Sequence, residues 1–474
     1  MGDDNDNSSF QEDVRDQQQQ QSTTTSATTI TVTTSRTLMT AHLWNKEEIP
    51  AVWRYGLTIY LVCILGLLFA SDIGSGVEAV TRTVPDPEFQ DIFDSEETVL
   101  LEASVFTSIG ELWDAGSYAL TIFIVLTSIC WPYIKLLLTL YAWVTRYSNT
   151  HRRERLLTML DALGKWSFVD IIVFIEIVVV FRATIPVGSG NLEVWVLPQW
   201  GLFGFISASM ASLLGTHVAL YFHRKVMTSN RTQQQQKSPD DPDAEQQRGS
   251  QVTNGDDKNS NGAAAEEQAN GVTEGPISFQ QLVGMKSLYA WLLTLCLAVA
   301  FALYLLGCIL YIFKVKNIQQ LTRITEVDYS IVSIGSDLNG SFREGDEGAE
   351  RYMQIVWFFL GMVMPLLCLL QFGILLWWPK FSSRATLERA YFCAEILFAW
   401  SGAEVYFIST LFGVTEFSKF GDGLVDVGCS QCYKVEADFY IPELLIWGIG
   451  GVGLGLVATI TISVLGHKAL YGRQ

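Results

Sequence analysis

One charged pattern occurs twice in the chain, and each copy leads into a long apolar segment. Its first copy is Glu154, Arg155, Asp161, Trp166, Ser167 and Asp170, and its second copy, with identical spacing, is Glu388, Arg389, Glu395, Trp400, Ser401 and Glu404. Identical spacings in a row indicate an internal duplication. Each copy also ends in an acid beside apolar residues, where a charge is costly in a membrane.

Eight stretches are apolar over about the 17–25 residues that a helix needs to cross a bilayer. They are Ala51–Ser71, Ala119–Val144, Phe168–Pro186, Trp200–Phe222, Leu288–Phe313, Met353–Trp378, Phe392–Val414 and Tyr440–Leu465. The chain is therefore predicted to be an all-α polytopic membrane protein, built from two four-helix transmembrane repeats.

Two polar regions divide the chain. Residues 1–50 and 226–283 are rich in Gln, Asp, Asn, Ser and Thr and poor in large apolar residues. Such composition predicts a disordered tail and a disordered linker. The two membrane repeats are then residues 51–225 and 284–474.

Basic residues concentrate in the loops that fall on one side of the membrane if the eight spans alternate. They include Arg152, Arg155, Arg224, Lys380, Arg389 and Lys468. By the positive-inside rule this side, with both termini, is predicted to be cytosolic. The opposite loops then face a lumen or the outside. Related phrases end two of these loops, at Ser104–Gly110 and Tyr329–Gly335, and alternation of apolar and polar residues predicts small β-structured caps there.

Three residues in these lumenal loops are candidates for modification. Asn339-Gly340-Ser341 is a possible N-glycosylation sequon. Cys429 and Cys432 are close enough in sequence to form a disulfide in an oxidising compartment. One cysteine pair is too few for a structural zinc site, which needs four ligands, so we predict no metal and no cofactor.

Two prolines and a lysine interrupt the apolar spans. Pro132 and Pro365 occupy matching places in the second and sixth spans and are predicted to kink them. Lys135 lies three residues after Pro132, deep in its span, where a lysine costs about 2.5–3.5 kcal/mol unless it pairs. We expect an acid partner for this lysine, either Asp170 or Glu176.

The repeated Trp-Ser pairs allow two interpretations. If Trp166-Ser167 and Trp400-Ser401 lie where a helix enters the membrane, Ser caps the helix, the following acid lies in its first turn and Trp anchors at headgroup depth. In the functional interpretation, Asp170 and Glu404 form a polar site that meets lipid headgroups or carries protons. The two interpretations are compatible.

Glu176 lies further along the same span as Asp170, near its middle, and its counterpart in the second repeat is Thr410. An unpaired glutamate at that depth would be costly or protonated. It is therefore a candidate proton site, and the alternative is a simple ion pair with Lys135.

These motifs together resemble the paraquat-inducible protein A family. The matching residues are Pro132, Lys135, Trp166, Ser167 and Asp170 in the first repeat, and Ser330, Pro365, Trp400, Ser401 and Glu404 in the second. The resemblance implies a membrane protein that works beside MCE-type lipid-channel proteins in moving phospholipid. Membrane lipids and a lipid-transfer protein are thus the implied partners. Members of the family typically carry zinc-ribbon cysteines before each repeat, and this chain has none at those places.

Several function classes have no support in the sequence. The net charge of −18 comes mostly from acids in tails and loops and does not indicate nucleic-acid binding. The chain has no P-loop, nucleotide fingerprint or Ser/His/Asp spacing, so we do not expect an enzyme.

The leading hypothesis is handling or transport of phospholipid between membranes, in a lateral pocket between the repeats. Lys135, Asp170, Glu176 and Glu404 would meet a lipid phosphate or relay protons there. The alternatives are a proton-coupled transporter of a small solute, a scaffold or auxiliary subunit without transport, and a lumenal redox protein acting through Cys429 and Cys432.

Overall fold

The structure is a computed structural model, and it describes the two repeats with gaps. The described residues are 49–85, 97–114, 116–145, 150–180, 183–187, 190–237, 277–311, 313–319, 323–342, 345–377, 383–413, 415, 437–440 and 444–471. The predicted tail lies almost wholly outside the described residues, as do most of the predicted linker and the Cys429 and Cys432 pair.

The first repeat combines helices with four strands. Its elements are α1 (Ala51–Ile73), β1 (Val77–Pro85), β2 (Glu97–Ala103), α2 (Val105–Asp114), α3 (Tyr118–Ile124), a π-helical turn (Val125–Cys130), α4 (Trp131–Val144), α5 (Thr150–Ala162), a 3-10 turn (Gly164–Phe168), α6 (Val169–Val180), β3 (Ala183–Val187), β4 (Gly190–Pro198) and α7 (Trp200–Lys237).

The second repeat follows the same order with three described strands. Its elements are α8 (Phe279–Val283), α9 (Ser287–Ile309), β5 (Phe313–Gln319), β6 (Arg323–Tyr329), α10 (Ile331–Asp337), α11 (Glu347–Phe358), a π-helical turn (Phe359–Val363), α12 (Met364–Trp377), α13 (Arg384–Trp400), helical residues 403–413, β7 (Ala437–Tyr440) and α14 (Leu444–Tyr471).

Seven helical stretches in the described part of the chain are long and apolar enough to cross a membrane. They are Ala51–Ile73, Tyr118–Val144, Trp200–Ser229, Ser287–Ile309, Glu347–Trp377, Arg384–Gly413 and Gly450–Tyr471. The protein is thus a multi-pass integral membrane protein, and about eight spans agree with these helices. The exception is the predicted third span, Phe168–Pro186, because α6 has only 12 residues and a strand follows it.

Each repeat contains a break between two consecutive helices, at matching places in the two repeats. In the first repeat α5 ends at Ala162, a 3-10 turn follows, and α6 resumes at Val169. In the second repeat α13 ends at Trp400, Ser401 has extended backbone dihedrals of φ −70 and ψ 103, and the helix resumes at residue 403. Since Arg384–Gly413 qualifies as one membrane-crossing stretch, this break lies inside the span.

Each repeat carries a small antiparallel sheet, which confirms the predicted β-containing loops. The first sheet has the order β2-β1-β4-β3, with Val80 opposite Trp195, and the second has the order β6-β5-β7, with Val315 opposite both Val327 and Phe439. The first sheet joins the hairpin after α1 to the strand just before α7, and the second joins the hairpin after α9 to the strand just before α14. The end of α1 and the start of α7 therefore meet at one sheet, and the end of α9 and the start of α14 meet at the other.

The related loop phrases differ from the prediction in part. Strand β6 confirms a strand up to Tyr329, but the chain then turns into α10, because the Ser330 side chain caps that helix by accepting a bond from the Ser333 backbone N–H at 2.9 Å. In the first repeat, the corresponding phrase likewise begins the helix α2.

Glycines allow α7 to pack closely against α1, and α14 to pack closely against α9. A Cβ at Gly215 of α7 would lie 2.9 Å from a Leu61 methyl of α1, and a Cβ at Gly451 of α14 would lie 2.6 Å from Leu303 of α9. Small residues at such contacts are the usual means of close approach between membrane helices.

Candidate functional site

The predicted acid partners of Lys135 are wrong. Lys135 is fully buried, and its Nζ donates to the Ser212 hydroxyl at 3.1 Å. The acid that acts on it electrostatically is Asp161. Its ammonium also lies where a Cβ of Gly164 would come within 2.8 Å, so this glycine makes room for it. Lys135 therefore faces α7 and the break of the third span, and no ion pair joins it to Asp170 or Glu176, both of which are described.

An acid of each motif meets a histidine from the last helix of its own repeat. Asp161 Oδ1 lies 2.6 Å from His217 Nδ1, and Glu395 Oε1 lies 3.9 Å from His467 Nδ1. Asp161 and Glu395 are matching positions of the duplicated pattern. The sequence analysis did not select these pairs, although the repeated acids were a signal for them.

Arg224 joins the two repeats. Its guanidinium forms a two-pronged bond with Glu395, through Nη1 to Oε2 and through Nη2 to Oε1 at 3.2 Å. Glu154 of the first repeat lies 3.8 Å from Arg224 Nε, and the Tyr471 ring lies 4.6 Å from the guanidinium carbon. All three charged side chains are at least nine-tenths buried, so the arginine holds acids of both repeats in one place.

A second ion pair crosses between the repeats at the helix breaks. Lys165, in the 3-10 turn of the first repeat, pairs with Glu404, just after the break of the second. The Lys165 ammonium also lies 4.0 Å from the centre of the Phe398 ring. The position that matches Lys165 in the second motif is Ala399, so this pair has no symmetric partner.

Glu404 also lines a small cavity of about 30 Å³ inside the second repeat, together with Tyr304, Cys368 and Thr459. That volume holds about one water molecule. The space around Glu404 is thus too small for a large ligand.

Asp170 lines a larger cavity that lies inside the first repeat. The cavity has a volume of about 120 Å³ and is enclosed by β1, β2, β4, α2, α3, α6 and α7. Its wall is almost entirely apolar and includes Ala103, Ile109, Val173 and Phe205. The pocket predicted between the repeats is therefore not where this structure places the motif acid, because α6 presents Asp170 towards its own repeat.

Asp170 is partly buried and lies beside other polar side chains. The Ser128 side chain hydrogen-bonds to Asp170, and Asp72 acts on it electrostatically. Asp72, at the end of α1, is fully buried and accepts a 2.7 Å bond from the Tyr133 hydroxyl. The sequence analysis missed Asp72 and Tyr133, and an acid in the last turn of an apolar span was the available signal for Asp72.

Glu176 is fully buried where the two repeats meet. The hydroxyl of Thr410, its predicted counterpart, donates to Glu176 Oε1 at 2.5 Å. No ion pair joins Glu176 to Lys135, so the alternative of a simple pair between these two residues is wrong.

The Trp-Ser pairs lie at the helix breaks, and in the second repeat this break lies within a stretch long and apolar enough to cross a membrane. Trp400 packs between the repeats, with its ring 6.2 Å from Phe168 and 5.7 Å from Phe359. Ser167 is fully buried, and its hydroxyl has no hydrogen-bond partner among the described residues. Ser167 therefore does not cap the helix that follows it, whereas Asp170 lies in the first turn of that helix, as predicted. The charged residues of α5 and α13 suggested loops outside the membrane, but part of that charge is buried in ion pairs.

Some of the backbone groups at these breaks form hydrogen bonds within the protein. In the first repeat Trp166 donates its backbone N–H to the Leu163 carbonyl at 3.2 Å, and the Trp131 indole donates to the same carbonyl at 2.9 Å. Non-helical backbone inside a membrane is tolerated where protein buries it or where it lines a cavity.

A π-helical turn precedes each of the two prolines. The turn Val125–Cys130 comes just before Pro132, and the turn Phe359–Val363 comes just before Pro365. Both prolines are buried. Such turns locally widen a helix and are frequent at functional sites.

Asn339 is exposed in a turn after α10, so its side chain is accessible to modification. The Cys429 and Cys432 pair lies outside the described residues.

Comparison with known proteins gives a family match over part of the chain. No curated protein and no solved structure matches it. Residues 98–189 match the family model described as Paraquat-inducible protein A. This region runs from β2 to β3 and includes the motif residues Pro132, Lys135, Trp166, Ser167 and Asp170. The match confirms the resemblance that the motifs predict: in this region the chain is similar to the paraquat-inducible protein A family.

Proposed function

We propose that this integral membrane protein handles phospholipid, and that the cavity of the first repeat receives an apolar segment of the lipid. The observation that carries the proposal is the composition of the cavity wall. Asp170 is its one charged residue, and Ser104 and Ser108 are the other polar side chains in the wall. Apolar walls favour an apolar occupant over a polar solute, because a polar group buried there without a hydrogen-bond partner is costly.

The size of the cavity limits what enters it. Its volume of about 120 Å³ is a little below the roughly 150 Å³ of an engineered cavity that binds benzene. The space therefore suits the end of one acyl chain and not a whole lipid. The rest of the lipid would lie outside the cavity, in contact with the apolar helices of the repeat.

The charged residues at the helix breaks would hold this arrangement in place. Lys165 with Glu404, and Arg224 with Glu395, fasten the third span of the second repeat to the first repeat. Broken helices at the membrane interior are a common way for transport proteins to place polar groups beside a substrate path. Lys135 then supports the break and is not a phosphate ligand, because it is enclosed by Ser212 and Gly164.

The proposal includes the surroundings of the protein. A lipid-transfer protein is its proposed partner, both termini are proposed to be cytosolic, and we propose no enzymatic activity and no binding of nucleic acid. Similarity to the paraquat-inducible protein A family over residues 98–189 supports a role in the membrane.

A proton-coupled transporter of a small solute is the second candidate. It is favoured by Glu176, whose Oε2 is buried without a hydrogen-bond partner among the described residues. Intramembrane acids often mark proton pathways. The apolar wall around Asp170 speaks against a polar solute in that cavity.

Native mass spectrometry of the purified protein tests the lipid proposal. Ala103→Phe fills the cavity, whereas Ala119→Phe adds the same side chain at an exposed position of α3. We expect wild type and Ala119→Phe to retain a phospholipid through mild delipidation and Ala103→Phe to lose it. Equal lipid retention by all three proteins, each shown to be folded by circular dichroism, would contradict the proposal.

A further inference from the structure

We propose that Asp72 and Asp170 form a proton-binding pair, and that an acyl chain occupies the adjacent cavity only when the pair holds a proton. The inference rests on the proposed function, because it describes how the occupancy of the same cavity is controlled. It assigns a role to Asp72, which lies in the first span and outside the duplicated motif.

Asp72 acts electrostatically on Asp170, and a hydroxyl group lies beside each carboxylate. The Tyr133 hydroxyl donates to Asp72 Oδ2 at 2.7 Å, and Ser128 bonds to Asp170. The second oxygen of Asp72, Oδ1, is buried and has no hydrogen-bond partner in the described part of the chain. A buried oxygen of this kind carries a full desolvation cost unless something donates to it.

No basic side chain compensates this pair within the described ranges. Neither carboxylate forms an ion pair there, and two buried lysines of the same repeat have other partners: Lys135 bonds to Ser212 and Lys165 pairs with Glu404. The counterpart acid Glu404 differs, since Lys165 neutralises it. Around Asp170 are thus the acid of α1, the Ser128 hydroxyl and the cavity wall, whose other polar side chains are Ser104 and Ser108. The Tyr133 hydroxyl bonds to Asp72.

Two neighbouring carboxylates in a desolvated place cannot both ionise at low cost. The pair is therefore expected to hold one proton. Water in the cavity can solvate an ionised Asp170. An acyl chain displaces that water and leaves the carboxylate against methylenes, where an ionised form is strongly disfavoured. Chain entry and proton uptake therefore favour each other.

Thermodynamic linkage between proton binding and lipid binding gives the direction in which lipid affinity changes with pH. If the occupied state binds one more proton than the empty state, the apparent lipid affinity is highest at low pH and falls as pH rises. The limiting slope is about tenfold per pH unit once the empty pair has lost its shared proton. Replacement of Asp170 by Asn keeps the shape of the side chain and removes the ionisation, so binding should become independent of pH.

The test measures binding of dioleoyl phosphatidylcholine, whose headgroup does not titrate between pH 5 and pH 9, to the full-length protein in detergent. Isothermal titration in two buffers of different ionisation enthalpy gives both the affinity and the number of protons taken up. We expect wild type to take up close to one proton and to lose at least about tenfold in affinity between pH 6 and pH 8. Glu347→Gln, at an exposed site, is the matched acid-to-amide control and should behave as wild type.

The variants separate this inference from the proposed function. Asp170→Asn should bind the lipid with little pH dependence and less proton uptake. Asp72→Asn leaves Asp170 ionisable without its neighbouring acid, so the pH at which the affinity falls should move to a lower value. The inference is overturned if wild type binds equally well at pH 6 and pH 8, or if both Asn variants keep the wild-type profile. If no protein binds the lipid at any pH, the proposed function fails together with it.

Discussion

Glu176 and Thr410 occupy matching positions in the two repeats and hydrogen-bond to each other across the interface between them, at 2.5 Å. Residues related by a duplication contact each other only near the axis that relates the two copies. The contact therefore marks the centre of the repeat interface. Because the second repeat has a threonine where the first has a glutamate, the centre holds one carboxyl group and not two.

Loss of the Thr410 hydroxyl is predicted to destabilise this interface. Thr410→Val keeps the volume but leaves Glu176 Oε1 without its donor, which should lower the free energy of unfolding by about 1–3 kcal/mol. The measurement is unfolding by SDS in mixed micelles. Thr410→Ser, which keeps the hydroxyl, and Thr461→Val, whose hydroxyl bonds to the Val457 carbonyl of its own helix, should stay near wild type. Equal stability of Thr410→Val and wild type would refute the contact.

Removal of the Arg224 guanidinium should be more costly. Arg224→Ala leaves Glu395 and Glu154 buried without their cation, and breaking a buried pair in this way costs about 3–5 kcal/mol. Arg224→Lys should recover only part of the loss, because an ammonium cannot reproduce the two-pronged bond to Glu395.

The same pair allows a double-mutant cycle. Arg224→Met with Glu395→Leu should be less destabilised than the sum of the two single changes, with a coupling energy of about 0.5–3 kcal/mol. Additive effects would show that the two side chains do not interact.

The Lys165 and Glu404 pair is predicted to hold the repeats together. If residues 1–237 and 277–474 are produced as two chains, we expect them to co-purify through a tag on one of them. Lys165→Met should lower the recovery of the untagged half by about tenfold or more, since it leaves Glu404 uncompensated at the interface. Arg351→Ala, which removes an exposed pair within α11, is the control. Recovery unaffected by Lys165→Met would argue against this role.

Gly164 provides a test of the helix break. A Cβ at this position would come within 2.6 Å of a Leu213 methyl and 2.8 Å of Lys135 Nζ, so Gly164→Ala forces a shift in the break. We expect a loss of about 1–3 kcal/mol in the free energy of unfolding. Gly66→Ala in α1, where a Cβ would meet no atom within 4 Å, should be neutral or stabilising by up to about 1 kcal/mol. The same response in both variants would contradict the close contact.

Features that depend on local composition could be predicted from the sequence. The lengths of the apolar segments predicted the bounds of the first, second, fourth and fifth spans closely. The identical spacing within the two copies of the charged pattern, which include Asp161 and Glu395, predicted the duplication. The predicted third span, Phe168–Pro186, fits a helix only up to Val180, because the strand β3 begins at Ala183. The helix before it, α5, carries Arg153 and Glu154, which are nevertheless buried. Hydropathy registers charge but not burial.

The spacing of residues along the chain could not predict contacts between different helices. The rotation of α4 about its axis decides whether Lys135 faces Asp170 or Ser212, and this depends on packing against α7. Lys165 stood beside the motif tryptophan with Ala399 at the matching position, an asymmetry that could have identified it as a cross-repeat partner. Its acid, Glu404, is in the other repeat, so only the tertiary structure brings the two together.

The central claim is that a phospholipid chain enters the cavity beside Asp170. The most direct measurement is crosslinking in nanodiscs with a phospholipid that carries a photoactivatable group at the end of one acyl chain, followed by peptide mapping. The account predicts crosslinks in β1, α2 and α6 that disappear in Ala103→Phe and persist in Ala119→Phe. Labelling confined to the exposed faces of α1 and α9, and equal in all three proteins, would show boundary lipid only and would contradict the account.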